Sequence, residues 1–481
     1  MGDNLKSWVY HKLNTNFVDN VKIRSVYYVY ICCFTANLLL ITLGSSLTWA
    51  APVLPKLLSN DTNINPFGKP ISTMEVSIIA ACPFIGTGVG FIMMAKISNW
   101  IGRKKTMRYS ALCLVGMLVI LAFAKSICIY IISLIVVGAN LSGIFVSVSA
   151  YNIEISDISN RTKIGSILGT SIPIGMFITY ILGAYATVKI YTLLISIPSI
   201  IHLILEPFII VESPVYLALK GKDVEALSTL KLLRSFKTDD EVMLEYAQMK
   251  KSAEDIQNTK HQARLIDLFE TKASRKALYL SLLLCVGQQT SGITTLLTFS
   301  GLIFNYTKAT LSTDTIGIIM GSTQLMFYFV TGFLYNKFGA KNLMLFSTLF
   351  CSFCMFCNSI IFYLINIQSS FTENLGWLPI LLAVLFLIGY GIGYGFVPIS
   401  LCNELFTSNL RSLGFATSMV AESLCVFIVR FTYPILSKNF GEHSAMFVYF
   451  VAGLFNFFVF LFLLPNTKDK SFQEIQDELS K

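Results

Sequence analysis

Charge is what this chain has least of. Lys, Arg, Asp and Glu together make up 13% of its 481 residues, about half the ~25% of a soluble domain. With 54% hydrophobic residues and a mean hydropathy of +0.67, most of the chain must face lipid or pack inside a membrane. No nucleophile–base pair and no metal-ligand set stands out, which argues against an enzyme, and no cofactor is called for. Most of the eleven cysteines, Cys32, Cys33, Cys82, Cys113, Cys285, Cys402 and Cys425 among them, lie inside apolar runs. They are expected as small apolar fillers rather than a disulfide framework. Cys351, Cys354 and Cys357 have a ligand-like spacing, but no His or Asp stands nearby, so no metal is expected. The net charge of +9 does not imply nucleic acid, because the basic residues fall between apolar spans. No cleavable signal peptide is visible, and the first span is expected as a retained signal anchor.

Crossing a bilayer takes roughly 20 apolar residues per helix. Twelve stretches qualify: 27–50, 74–97, 107–124, 127–150, 164–186, 189–211, 277–303, 315–337, 341–366, 377–402, 412–437 and 445–465. Lys6, Lys12, Lys22, Arg24, Lys96, Arg103, Lys104, Lys105, Arg108, Arg161, Lys163, Lys337, Lys341 and Arg411 all fall on one side of these spans. The positive-inside rule then makes both termini cytoplasmic. The sequons at Asn60 and Asn305 fall on the external side as candidate glycosylation sites, whereas the one at Asn160 is cytoplasmic and should stay unmodified. Residues 216–275 form the one sizeable polar region, with apolar residues at helical spacing, as in Ala226, Leu230 and Leu233. Short amphipathic helices under the membrane are expected there. The resulting division is a cytoplasmic segment 1–26, a six-helix bundle 27–215, a cytoplasmic helical linker 216–275, a second six-helix bundle 276–466 and a cytoplasmic tail 467–481.

The second half repeats the punctuation of the first. Gly102-Arg103-Lys104-Lys105 is matched by Gly339-Ala340-Lys341, each directly after a long apolar stretch. Glu154 with Arg161 is matched by Glu404 with Arg411, and Val211-Glu212-Ser213-Pro214 by Pro465-Asn466-Thr467-Lys468. Parallel repeats of this size, related by an axis along the membrane normal, build two-bundle secondary transporters. These motifs, together with Tyr151-Asn152-Ile153-Glu154, Gln288-Gln289-Thr290-Ser291-Gly292-Ile293 and Asn403-Glu404-Leu405-Phe406, occur in order along the membrane region. The chain thereby resembles the sugar porter family of the major facilitator superfamily. Trp49-Ala50-Ala51-Pro52-Val53-Leu54-Pro55-Lys56-Leu57 is most similar to the insect facilitated trehalose transporters of that family. The resemblance implies an all-α membrane protein of twelve transmembrane helices in two six-helix bundles, the major facilitator fold. It also implies a small-molecule sugar substrate, and no obligate protein partner is evident in the sequence.

Charges at span ends are expected to gate the path. Arg103, Lys104, Glu154, Arg161, Glu212, Lys337, Glu404 and Arg411 all sit at one side. Partly desolvated pairs there attract more strongly than surface pairs, and the resemblance implies that they favour one state of alternating access. Simple topology signals and helix-end charges offer the plainer reading. For the substrate, polar groups near the midplane are costly and so point to function. Gln288 and Gln289 offer amide donors and acceptors suited to a polyhydroxyl ligand. The resemblance makes them the sugar-contacting pair, with Thr294 standing where the family usually has asparagine and Gln324 near another such position. Gly389, Gly391, Gly393 and Gly395, alternating with Tyr390 and Tyr394 before Pro398, read as a deformable helix with aromatics for sugar faces. Gly86 and Gly90 read as a helix-packing pair.

Proton coupling needs a titratable group in the path, and Leu47-Thr48-Trp49-Ala50 in span 1 has none. That favours a facilitative uniporter in the plasma membrane, moving trehalose or a hexose such as glucose. Glu422, where the family usually has asparagine, keeps a proton-coupled sugar or polyol symporter open, either contacting sugar or pairing with Arg430. His202 and Glu206, one turn apart, are expected to pair with each other. Leu134, Val215 and Ala340 stand where the family usually has arginine, which thins the charge network and leaves a non-transporting sugar sensor as a third reading, and Ile399 replaces a usual tryptophan, which removes a contact surface for the sugar.

Overall fold

The computed structural model describes residues 27–157, 160–235, 237–258, 264–306, 311–369, 375–407, 409–466, 468, 470 and 472–480. Among these there is no strand. The first half holds α1 (Tyr28–Leu47), α2 (Ala50–Leu57), α3 (Thr73–Ile101), α4 (Arg103–Phe123), α5 (Ile127–Ile155), α6 (Arg161–Tyr185), α7 (Val188–Leu194) and α8 (Ile197–Ile209). The connection holds α9 (Pro214–Leu219), α10 (Asp223–Leu233), α11 (Asp239–Asn258) and a 3-10 turn at Leu265–Phe269. The second half holds α12 (Lys272–Thr290), α13 (Ile293–Ile303), α14 (Thr313–Phe338), α15 (Ala340–Asn366), α16 (Leu378–Ile392), α17 (Val397–Leu405), α18 (Arg411–Phe440) and α19 (Glu442–Leu463). A tail helix, α20 (Phe472–Ser480), packs against α12 and α17.

Among the described residues, eleven helical segments are long and apolar enough to cross a membrane. The twelfth expected span falls on α14, whose 26 residues rise about 39 Å, more than the ~30 Å hydrocarbon layer. The chain is a multi-pass membrane protein.

Local chemistry sets the ends of these helices. Ser72 and Glu75 form a reciprocal capping box at the start of α3, with Oγ accepting from Glu75 N at 3.3 Å and the carboxylate accepting from Ser72 N at 2.6 Å. At the other end, Gly102 (φ +99°) turns the chain straight into α4, and Gly339 (φ +78°) does the same between α14 and α15. These are the two glycines that open the repeated basic motif. Both adopt the left-handed backbone that a side chain would strain. Gly86 sits so close to α5 that an added Cβ would lie 1.9 Å from the Ile135 carbonyl, which bears out the packing role expected of Gly86 and Gly90.

Among the described residues, four spans are interrupted along their length: α1/α2, α7/α8, α12/α13 and α16/α17. The interruption at Gly393–Phe396 lies in the glycine run that reads as deformable. The one at Ser291-Gly292 was not foreseen; Gly292 there has φ +91°, and a Cβ would meet the Tyr449 ring at 2.7 Å.

The linker lies under the first half. Arg234, 2% exposed, donates to the Ile155 carbonyl at 2.9 Å and pairs with Glu245 at 2.9 Å, while Lys237 reaches Asp157 at 3.2 Å. We call this the linker face. On the opposite face the two halves touch: Gly301 in α13 comes so close to Pro55 in α2 that an added Cβ would sit 2.9 Å from its ring. Tyr180 in α6 donates to the Leu297 carbonyl in α13 at 3.0 Å.

Candidate substrate site

A cavity of about 230 Å³ lies between the halves. Its walls are unequal. The first half supplies mainly apolar and aromatic surface (Leu43, Leu47, Phe84, Phe91, Phe145) with Thr48, Thr87 and Ser142. The second half supplies the stronger polar groups: Gln288, Gln289, Thr294, Gln324, Tyr328, Tyr390, Glu422 and Arg430. All five residues expected at the substrate site therefore line one cavity.

The break in span 7 places the glutamines. α12 ends at Thr290, so Gln288 and Gln289 lie in its last turn beside the interruption. Gln288 Nε2 donates to the Tyr390 hydroxyl at 2.9 Å and the Tyr394 carbonyl at 2.6 Å. The Tyr394 carbonyl belongs to the unwound stretch of span 10, so one amide clamps two broken helices together. Gln289 Nε2 donates to Glu422 at 2.7 Å. Gln324 Oε1 is buried and has no hydrogen-bond partner among the described residues. A buried amide oxygen without a donor costs roughly 1–3 kcal/mol, which a ligand hydroxyl would recover.

Glu422 and Arg430 do not share a hydrogen bond. The guanidinium donates through Nε to Thr294 Oγ1 at 2.6 Å and lies 4.4 Å over the Phe84 ring. Thr294 is thus engaged by Arg430 as well as facing the cavity. Of the aromatics in span 10, Tyr390 lines the cavity, whereas Tyr394 is fully buried against Phe460. Ile399 also lines it, so the cavity keeps an apolar surface at that position. Arg430, Phe84, Tyr328 and Phe145 were not foreseen as cavity residues. For Arg430 the signal was present, an arginine within a 30-residue apolar helix.

At the linker face, Arg103, Lys104, Glu154 and Glu212 come together. Arg103 binds one Glu154 oxygen through Nε at 3.1 Å and Nη2 at 2.9 Å. Glu212 Oε1 accepts from the backbone N–H groups of Arg103 at 3.0 Å, Lys104 at 3.2 Å and Ser213 at 3.0 Å, which caps α4. Burial pushes the Glu212 carboxyl above its ordinary range, against the pull of those amides and of Arg103. Glu154 Oε2 has no partner among the described residues. Glu206 pairs with Arg108 at 2.7 Å and Lys104 at 3.7 Å, while His202 Nδ1 contacts the Thr35 carbonyl at 2.8 Å. The expected His202–Glu206 pair is thereby replaced, because Arg108 presents a two-pronged donor to the carboxylate. Glu404 accepts from Tyr335 at 2.7 Å and Ser400 at 3.2 Å. Arg161, Lys337 and Arg411 are exposed, so they are less desolvated than expected. Asn60 is exposed in the α2–α3 loop, and Asn305 is exposed in a sequon whose Thr307 lies outside the described residues.

The family described as "Sugar (and other) transporter" matches residues 26–479. The chain belongs to this sugar transporter family. Among curated relatives, the facilitated trehalose transporter Tret1 of Culex quinquefasciatus is 24% identical over 91% of this chain and 83% of its own length. Tret1 of Apis mellifera ligustica is 25% identical over 90% of this chain and 84% of its own. The xylose transporter XylE from E. coli, in a partially occluded inward-open conformation, superposes with a TM-score of 0.74 at 18% identity over 91% of this chain and 100% of XylE. That likeness shows the major facilitator fold. As a member of the sugar transporter family the chain is a carrier of small-molecule sugars rather than an enzyme.

Proposed function

We propose that the chain is a facilitative uniporter for trehalose or a hexose such as glucose, in the plasma membrane with both termini cytoplasmic. The observation that carries this reading is the cavity between the halves, where Gln288, Gln289 and Gln324 present amides and Tyr390 an aromatic face. Amides bind neutral polyols without needing a charged ligand. The trehalose transporters among its relatives support the choice of sugar. Leu43, Leu47 and Thr48 form the span 1 wall and include no acid, which supports uniport. Millimolar affinity needs only about −4 kcal/mol, within reach of a few hydrogen bonds.

Gating belongs to the linker-face charges. Arg103, Lys104, Glu154, Arg161 and Glu212 of the first half would meet Lys337, Glu404 and Arg411 of the second when that face shuts. The unpartnered Glu154 Oε2 supports this, since it leaves an acceptor for an incoming cation. The exposed Asn60 and Asn305 would carry glycans on the outer side.

One observation favours a proton-coupled symporter instead: Glu422 lines the cavity, and the hydrogen bond described to its carboxylate comes from Gln289. Uptake of labelled trehalose and glucose into liposomes, with and without an imposed pH gradient, separates the two. Uptake that equilibrates and ignores pH supports the uniporter, and concentrative uptake driven by inward protons moves the mechanism to Glu422. Binding without uptake would instead make the chain a sugar sensor.

A further inference from the structure

Arg430 occupies a place in the structure that cavity lining alone does not explain. It is 6% exposed, in the membrane-spanning part of α18. Its Nη1 and Nη2 both reach the Leu47 carbonyl, each at 3.4 Å. Leu47 is the last residue of α1, and in an unbroken helix its carbonyl would accept from the N–H of Ala51. Here Ala51 N bonds instead to the Thr48 carbonyl at 3.0 Å. The break in span 1 thus directs a carbonyl from the negative end of a helix dipole toward the second half. On its own side, the guanidinium holds Thr294 in the first turn of α13, just past the break in span 7. Beneath it, in α3 of the first half, is the Phe84 ring, a favourable seat for a desolvated cation.

One side chain therefore ties broken span 1 and span 2 of the first half to broken span 7 of the second. It does so toward the face where Tyr180–Leu297 and Gly301–Pro55 also join the halves. We infer that Arg430 is the latch of the opposite face, a positioning residue that holds the cavity shut on that side until the halves part. This rests on the reading of the chain as an alternating-access carrier. The job needs a fork: a planar guanidinium reaches Thr294 and Leu47 at once, whereas an ammonium is a single point charge.

The test uses the full-length chain in lipid, with nitroxides on genetically encoded keto side chains at Asn63 and Leu311, both exposed on the opposite face and in different halves. Wild type should give a short-distance population. Arg430→Leu should move most of it to longer distances, with Arg430→Lys between the two. Arg430→Gln serves if the leucine variant does not fold. Sugar uptake from each side gives a second readout. The ratio of the half-saturation from the opposite face to that from the linker face should fall by up to about tenfold in the variant as the open state gains population. Unchanged distances, or an unchanged ratio between the two half-saturations, would overturn the latch; the ratio is the readout because Arg430 also holds Thr294 at the cavity. If wild type moves no sugar, the carrier reading fails, yet the distance comparison still decides whether Arg430 holds the face shut.

Discussion

Gln324 shows how a single side chain separates binding from stability. Its buried Oε1 has no partner among the described residues, so replacing it removes a desolvation cost rather than a bond. Gln324→Leu should leave thermal stability equal or higher while weakening sugar binding about tenfold, measured by calorimetric titration in detergent. Gln288 couples the two. Gln288→Ala strands the Tyr390 hydroxyl and the Tyr394 carbonyl, so the melting temperature should fall together with binding. Side-chain identity carried most of this site in the sequence, because an amide or carboxylate inside an apolar span has few uses other than function. Partnership was less legible. Glu422 and Arg430 share a helix, and helical phase alone did not show that Gln289 and Thr294, from another span, would claim them. His202 and Glu206 misled for the same reason, since Arg108 approaches from α4.

Among the elements, the broken helices decide where the site lies. Gly292 is left-handed at +91° and its Cα faces the Tyr449 ring, so Gly292→Ala carries both backbone strain and a clash. Strain of this type costs about 1–3 kcal/mol. The variant should reach the membrane at lower yield and lose uptake more than tenfold, read from reconstituted vesicles at matched protein. The glycine run of span 10 was readable as a soft helix because four glycines cluster there. The span 7 break rests on one glycine within an amphipathic stretch, too weak a signal on its own. The linker has its own control: Asp223 is held below its ordinary range by Lys250 and Tyr246, which join α10 to α11. A depressed carboxyl stabilises above its unfolded value and loses that contribution as pH falls through the folded one. Protection of the α10 and α11 amides, taken relative to the intrinsic exchange rate at each pH, should therefore fall below about pH 4, and Asp223→Asn should show that lower protection already at neutral pH.

At the scale of the whole molecule, the repeat seen in the sequence becomes two bundles with a cavity between them, and the opposite face is joined while charge gathers on the linker face. If those charges gate, Glu404→Ala should slow transport several-fold and leave sugar binding nearly unchanged, since Glu404 bonds Tyr335 and Ser400 and is not among the residues lining the cavity. Equal loss of both would sink the gating role. Fold was the most legible level, because hydrophobic length, basic punctuation and a duplicated motif all constrain it at once. The state in which the halves meet was invisible, since it depends on contacts between spans hundreds of residues apart. Alternating access through this cavity predicts counterflow. Vesicles preloaded with unlabelled trehalose or glucose and given a trace of labelled sugar outside should show a transient overshoot of internal label. Sugar that binds without overshoot, or label that merely leaks to equilibrium at the same rate in empty and loaded vesicles, would contradict a carrier.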